Sequence, residues 1–190
     1  GIRRAWKAGV TTEVDVEGAR LDEFLSVYSE AMSALEADAY YHFDREYFYQ
    51  LRDAADFQVV LTFATYQGEQ IGAGLSLITN KIMQAYLGGS LPAYRRMAAM
   101  KVITAREHQF ALDNGLSSLV LGGGIGLADD QLLQFKRGFS HDLKLFYVYK
   151  NILNESVYKE LCNDVEVAPD LKDYFPAYRF GRKSNATKEE

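Results

Sequence analysis

Apolar residues in the first third of the chain follow two periods. Over 10–16, apolar and polar residues alternate, which is typical of a half-buried strand. Over 19–35, the apolar residues recur every three or four positions, so they share one face of a helix. A second helix is predicted over 44–54, with Asp44 at its N-cap. The pattern therefore predicts a strand followed by two helices.

The middle of the chain carries longer apolar runs that are separated by short polar turns. The first turn is centred on Gly68, and the second is Thr-Asn-Lys at 79–81. Strands joined by such short turns are antiparallel. The pattern therefore predicts a three-stranded meander over 57–66, 70–78 and 82–89.

A long helix is predicted after the meander. Pro92 suits the first turn of a helix, the next residues are rich in alanine, and Gly115 suits the C-terminal end. Strand-like and helical patterns then alternate: a strand over 117–124, a helix over 130–139, a strand over 143–152 and a helix over 155–163. The predicted fold class is α/β, as a mixed α+β sheet with an antiparallel meander and a crossover helix. Ligands of such sheets bind where the strand order splits, near a helix N-terminus.

Composition and charge narrow the class of protein. The 190 residues suit one main domain, and 48% apolar residues exclude a disordered chain. The net charge of −5 argues against general nucleic-acid binding, which needs clustered Lys and Arg. No apolar run approaches the roughly 20 residues of a membrane span. Cys162 is the only cysteine, so no intramolecular disulfide can form, and a cytoplasmic location is expected.

Several short motifs carry a family resemblance. They are "GIRRAWKAGV", "EYF" followed by a leucine, "IGAGLSLI", "AYLGGS", "LDNGLSSLVLGGG" and "LLQFKRGFS". Their order and spacing, from Ile2 to about Tyr158, resemble the FemAB-type peptidyltransferases and their single-domain acyltransferase relatives. The order of predicted elements is similar to the fold of the GNAT N-acyltransferase superfamily, of which the chain resembles a C-terminal GNAT-like domain.

The resemblance implies an enzyme that forms amide bonds, by transfer of an aminoacyl or acyl group to a primary amine. FemAB-type members use aminoacyl-tRNA and act on a peptidoglycan precursor in cell wall biogenesis, whereas relatives with the same domain are presumed to use acyl-CoA or have no assigned donor. No tightly bound cofactor is expected, and the donor stays undecided between acyl-CoA and aminoacyl-tRNA. The expected acceptor is a small-molecule or peptidyl amine, and a tRNA acceptor end is a further candidate partner.

The position of the first motif bears on domain organisation. FemAB-type chains contain two such domains, and a segment like "IRRAWKAGV" lies at their junction. The resemblance thus implies a linker helix over 1–9 from an upstream domain, an acyltransferase domain over 10–167 and a partly disordered tail over 168–190. The alternative is a non-catalytic half that supplies a binding wall of a larger transferase, with an upstream GNAT-like domain or a homodimer partner.

Lys136 is the candidate catalytic residue. Amide formation from an activated ester passes through an oxyanion, and a nearby cation lowers that barrier. Phe135-Lys136 matches a Phe-Lys pair that recurs at this place in FemAB-type enzymes. The resemblance therefore implies that Lys136 stabilises the negative charge on the reacting carbonyl and that Phe135 forms a wall of the site. The alternative is a solvated lysine on a short helix that packs Leu132, Leu133 and Phe135 inward.

The segment "LGGSLPAYRR" is the second candidate. Gly88 and Gly89 permit close approach of a ligand to the strand end, and the helix start near Pro92 favours an anion. Arg95 or Arg96 is then a phosphate contact, or else a surface arginine. In acyl-CoA-using relatives, an Arg or Gln in this loop is followed by Gly at the third position after it and by Gly or Ala at the fifth. Counted from Arg95, Ala98 and Met100 stand at those positions here, which weakens the case for CoA.

The remaining candidates are aromatic. Tyr41 is placed in an aromatic-rich stretch that could line an acceptor pocket or pack in the core, and Tyr86 could face the cleft or the core. The three histidines are far apart without metal-ligand spacing, so no metal site is expected. No general base is identified.

Overall fold

The computed structural model describes residues 1–125, 129–168 and 174–180. These residues contain five strands and six α-helices. The strands are β1 (Thr11–Asp15), β2 (Gln58–Tyr66), β3 (Glu69–Thr79), β4 (Ile82–Ser90) and β5 (Ser118–Val120). The helices are α1 (Ile2–Lys7), α2 (Leu21–Ala34), α3 (Arg45–Asp53), α4 (Ala99–Asp113), α5 (Gln131–Arg137) and α6 (Glu155–Asn163).

The five strands form one sheet in the order β1-β2-β3-β4-β5. The first three pairs are antiparallel, and β4 and β5 are parallel, as the crossover through α4 requires. The predicted fold class, a mixed sheet with an antiparallel meander and a crossover helix, is confirmed. Asp44 also caps α3 as predicted, because its side chain accepts a hydrogen bond from the Tyr47 N–H.

Helices cover both faces of the sheet. On one face, α2 and α3 pack against β2, β3 and β4 around Phe24, Phe48, Phe63 and other buried residues. On the other face, α4 packs against the same strands, and α1 packs on α4. The run of apolar residues in β2 is continuous because both of its faces are buried.

The two parallel strands stay together for only three residues. Ile82, Met83 and Gln84 of β4 pair with β5, and the rest of β4 pairs with β3 alone within the described part of the sheet. The β3–β4 register also shifts at Tyr86, which leaves this residue without a direct partner on β3, as in a β-bulge. The end of β4 therefore extends beyond β5, and one of its edges has no strand partner in the described sheet.

The predicted long helix over 93–115 is in fact two elements. A 3₁₀ helix covers Pro92–Met97, and α4 begins only at Ala99. Ala98, between them, has a φ of 54°, in the left-handed region. A residue in that conformation cannot continue a right-handed helix, so the single helix predicted from Pro92 is wrong.

The chain folds as two compact units, 1–140 and 141–190. In the second unit, the aromatic ring of Tyr158 on α6 packs with Cys162 and Ala177. The domain limits predicted at residues 9 and 167 stay predictions. Most of the predicted tail, 169–173 and 181–190, lies outside the described residues.

The strand predicted over 143–152 does not form. None of these residues adopts strand structure, and the side chains of Leu145, Phe146 and Tyr147 are 76–80% exposed. A strand is stable when its backbone groups pair with a neighbouring strand. The strand-like apolar run in the sequence was therefore not sufficient to form a strand. Within the described ranges, no helix is long and apolar enough to span a membrane.

Candidate functional site

A cavity of about 300 Å³ lies at the end of β4, beyond the point where β5 stops. We refer to it as the strand-end cavity. Five elements line it: the end of β4, the C-terminal end of α2, the turn that follows β4, the start of α4, and α5. Its lining consists of Ala31, Ala34, Leu35, Gly88, Gly89, Ser90, Leu91, Pro92, Arg95, Met100, Leu132 and Phe135.

The floor of the strand-end cavity is made by backbone rather than by side chains. A Cβ atom built on Gly89 would lie 2.5 Å from the Cβ of Ala31, so β4 and α2 touch directly at this point. A larger residue at position 89 would separate the helix from the strand. Gly88 and Gly89, both predicted site residues, therefore bring the main chain of β4 to the cavity surface.

Arg95 is the one charged side chain in a lining that is otherwise apolar or small. It is exposed, and no hydrogen bond or ion pair involves its guanidinium in the described part of the chain. An apolar cavity with one free cation at its rim suits a ligand with an uncharged body and an anionic end.

Lys136 does not line the strand-end cavity, although Leu132 and Phe135 of the same helix do. Its ammonium donates a hydrogen bond to the carbonyl oxygen of Gly123, at 2.7 Å, in the loop after β5. Partial burial lowers the pKa of Lys136. An ammonium has three N–H donors, so the bond to Gly123 leaves donors for a ligand.

The position of α5 is fixed by acidic residues at its start. Asp130 caps the helix by accepting a hydrogen bond from the Leu133 N–H, and it also accepts one from the Ile125 N–H. Asp129 pairs with Arg137 at 2.9 Å. The backbone N–H bonds hold the pKa of Asp130 low, and the Arg137 guanidinium lowers the pKa of Asp129. Both carboxylates are therefore ionised, and their contacts hold α5 in position.

Tyr86 and Tyr41 belong to an aromatic cluster on the α2–α3 face of the sheet. The hydroxyls of Tyr86 and Tyr47 share a hydrogen bond of 2.6 Å. Desolvation, with this bond, raises the pKa of Tyr86 to about 12, so its phenol stays protonated near neutral pH. The carbonyl of Tyr41 accepts a hydrogen bond from Tyr28. Neither Tyr41 nor Tyr86 is among the residues that line the cavity, and their substrate roles stay predictions.

The structure brings together four of the eight predicted residues, namely Gly88, Gly89, Arg95 and Phe135. Arg96 lines a different cavity, beside α1. Sequence reasoning missed the α2 wall of Ala31, Ala34 and Leu35, whose only signal was an alanine-rich end to an amphipathic helix. Within the described ranges, no group of three or more His, Cys, Asp or Glu is arranged to hold a metal ion.

Residues 1–137 match the family that is described as an acetyltransferase (GNAT) domain. This match spans more than two thirds of the 190 residues. No curated protein is significantly similar in sequence.

Solved structures share the fold at low sequence identity. An aminoglycoside acetyltransferase from an uncultured soil metagenomic sample, in complex with sisomicin, has a TM-score of 0.57 at 16% identity, covering 75% of this chain and 96% of that one. A ribosomal-protein-alanine N-acetyltransferase from Brucella melitensis biovar Abortus 2308 has a TM-score of 0.56 at 13% identity, covering 76% of this chain and 99% of that one. At such identities the likeness concerns the fold alone.

Proposed function

Because the chain belongs to the acetyltransferase (GNAT) family, we propose that it transfers a short acyl group from acyl-CoA to a primary amine and that the strand-end cavity receives the donor. Acyl-CoA is the donor substrate in this family, and the family match does not support aminoacyl-tRNA. The observation that carries the proposal is the cavity itself, which lies at the open end of β4.

The strand-end cavity suits the thioester arm of such a donor. That arm carries two amides, and an open strand edge offers N–H and C=O groups that bind an extended chain by strand-like hydrogen bonds. Beyond Gln84, one edge of β4 has no strand partner in the described sheet. The apolar side chains of Leu132 and Phe135 cover the arm, and Arg95 meets the phosphates at its far end.

The reaction is the attack of a neutral amine on the thioester carbonyl. A C–N bond forms, the C–S bond breaks, the amine loses one proton to water, and the departing thiolate takes up a proton. Negative charge develops on the carbonyl oxygen during the attack. The ammonium of Lys136, which the Gly123 carbonyl holds by one hydrogen bond in the loop after β5, supplies a positive charge there. Because Lys136 does not line the strand-end cavity, this role requires that the thioester end of the donor extend past Phe135 to that loop.

The finer predictions concern the acceptor. Transfer to a peptidoglycan precursor, as the resemblance to FemAB-type enzymes implies, remains a proposal, as does a role of this chain as one half of a larger transferase. An acceptor series that contains small amines and peptidyl amines separates these classes, since a half-domain binds donor without turnover.

The test of the proposed function is amine-dependent release of free CoA thiol from acetyl-CoA, with the acetylated product identified by mass. We expect release that requires both the chain and a primary amine. Transfer from aminoacyl-tRNA, with no release from acetyl-CoA, would contradict the proposed donor.

The role of Lys136 is tested by Lys136→Ala, with Arg137→Ala as the control on the same helix. We expect Lys136→Ala to lower kcat about 100-fold, because one charge contact to the developing oxyanion is lost. Arg137→Ala removes the pair with Asp129 but leaves the Asp130 cap and the bond between Asp129 and Gln134 to hold α5, so it should change kcat little. Equal effects of the two variants on kcat, tracking a loss in Tm, would show that Lys136 is only structural.

A further inference from the structure

Lys136 on α5 carries an amine that forms no ion pair with a carboxylate within the described residues. Its Nζ donates one hydrogen bond of 2.7 Å to the carbonyl oxygen of Gly123. By contrast, Lys144 and Lys159 each pair with a carboxylate. A single backbone carbonyl therefore holds the amine of Lys136.

Glycines leave room beside this amine. A Cβ atom built on Gly122 would lie 3.6 Å from the Nζ of Lys136, and one built on Gly123 would meet no atom within 4 Å. Gly122 also has a φ of 72°, which favours glycine over residues with a side chain. The loop after β5 therefore leaves the amine accessible to a ligand, although Lys136 itself is partly buried.

The same side of α5 forms a wall of the strand-end cavity. Leu132 lines the cavity four residues before Lys136, and residues at this spacing are neighbours on a helix, with Cβ atoms roughly 5–6 Å apart. Phe135, which also lines the cavity, is adjacent to Lys136 in sequence. A thioester that enters along β4 and passes Phe135 therefore comes within reach of the Lys136 amine.

Burial also favours the reactive form of this amine. It lowers the pKa of Lys136, and the negative charge of Asp130 opposes this shift only in part. Only a neutral amine has a lone pair with which to attack a carbonyl carbon. Lys136 therefore reaches its nucleophilic form at a lower pH than a solvated lysine does.

We propose that the chain acylates its own Lys136 when the donor is bound and no acceptor amine is present, and that this modification switches off transfer to other amines. The inference rests on the proposed function. The ammonium of Lys136 first gives up a proton to water, and the neutral amine attacks the thioester carbonyl. A C–N bond forms, the C–S bond breaks, the nitrogen loses a second proton to water, and the departing thiolate takes up one proton.

The product differs from lysine in charge. The amide that forms keeps one N–H, which can still donate to the Gly123 carbonyl, but the positive charge is gone. An amide is much less reactive than a thioester, so the acyl group stays on Lys136 and is not passed on. The modified chain therefore lacks the cation that the proposed reaction places beside the developing oxyanion.

The experiment incubates the chain with acetyl-CoA in the absence of an amine and follows acetylation by mass spectrometry. Cleavage before aspartate yields a peptide over 130–141, in which Lys136 is the only lysine. Lys81, an exposed lysine in the turn between β3 and β4, reports the reaction with free donor. We expect Lys136 to be acetylated at least roughly tenfold faster than Lys81, because a bound donor is held beside it.

Two variants link the modification to the donor and to activity. Ala34→Leu, which fills part of the strand-end cavity, should slow acetylation of Lys136 and leave that of Lys81 unchanged. In wild type, kcat after this incubation should fall in proportion to the acetylated fraction of Lys136. In Lys136→Arg, which keeps a cation but offers no nucleophile, the same incubation should leave kcat at the value it had before.

Each failure has a distinct meaning. Amine-dependent release of CoA, with Lys136 acetylated no faster than Lys81, would overturn the inference and leave the proposed function standing. Equal acetylation of Lys136 in Ala34→Leu and wild type would show that free donor modifies it, which also overturns the inference. Acetylation of Lys136 without a fall in kcat would overturn the switch. Neither release of CoA nor acetylation above the level of Lys81 would overturn the proposed function as well.

Discussion

Glu107 on α4 is a carboxyl inside the core, with 3% of its surface exposed. Its Oε1 accepts a hydrogen bond of 2.9 Å from the Ser76 hydroxyl on β3. Gly74 makes room for it, since a Cβ atom there would lie 3.0 Å from the same oxygen. Desolvation outweighs the hydrogen bond and raises the pKa of Glu107 to about 7.

This shift predicts the pH dependence of stability. Because the folded pKa is above the ordinary value of 4.5, the folded state binds the proton more tightly than the unfolded state. The free energy of unfolding should therefore fall as pH rises from about 4.5 to about 7, by on the order of 3 kcal/mol from this group. Denaturant unfolding over this pH range measures the slope.

Glu107→Gln keeps the shape without the titration. We expect it to remove most of this slope and to be more stable than wild type at pH 8. Glu30→Gln, at an exposed position on α2, is the control and should leave the slope unchanged. The same slope in Glu107→Gln and wild type would contradict a buried, proton-binding Glu107.

At the residue scale, the sequence indicates which side chains have suitable chemistry more readily than it indicates where those side chains lie. Lys136 and Phe135 are adjacent in sequence, yet only Phe135 reaches the strand-end cavity. The direction of each side chain on a helix of seven residues depends on how Asp130 and Asp129 anchor its first turn. The position of α1 gave no signal either, because nothing in "RRAWK" indicates that this helix lies beside the turn before α4.

At the element scale, the break between the 3₁₀ helix and α4 depends on one residue. Ala98 has a left-handed backbone conformation, which costs roughly 1–2 kcal/mol for a residue with a side chain. This loop lacks the glycine that the resemblance implies, yet its backbone adopts the glycine-like conformation at Ala98.

The cost at position 98 can be measured. Ala98→Gly should stabilise the fold by about 1 kcal/mol, because glycine adopts a positive φ without strain. The neighbouring Ala99→Gly should instead destabilise it by a similar amount, since Ala99 is helical and 2% exposed. Chemical denaturation of both variants checks the opposite signs. Destabilisation by Ala98→Gly would contradict the strained turn.

Elements with strong local signals were predictable, and those that depend on a partner were not. The meander was predicted from two short turns, and α2 and α3 from their periodicity and the Asp44 cap. The run over 143–152 has a strand-like pattern, but its residues do not adopt strand structure. Sequence periodicity reports which face is apolar and says nothing about which element covers it.

At the scale of the whole molecule, the sheet order explains the site. The crossover through α4 sets β5 parallel to β4, and the pairing ends after three residues. The sequence predicted a mixed sheet whose ligands bind where the strand order splits, but the extent of the pairing between β4 and β5 is a tertiary property. The cavity therefore lies beside α2 and α5, and β5 supplies none of its lining.

The central claim is that the strand-end cavity binds the acyl donor. The most direct test is the Kd of acetyl-CoA for Ala34→Leu, beside Ser33→Leu as the control. Ala34 is exposed at the end of α2 and lines the cavity, whereas Ser33 is exposed on the same helix and does not. Leucine at 34 places its side chain in the cavity and should weaken binding at least tenfold, with little change in Tm, while Ser33→Leu binds like wild type. Equal affinities of both variants and wild type for acetyl-CoA would show that the donor binds elsewhere.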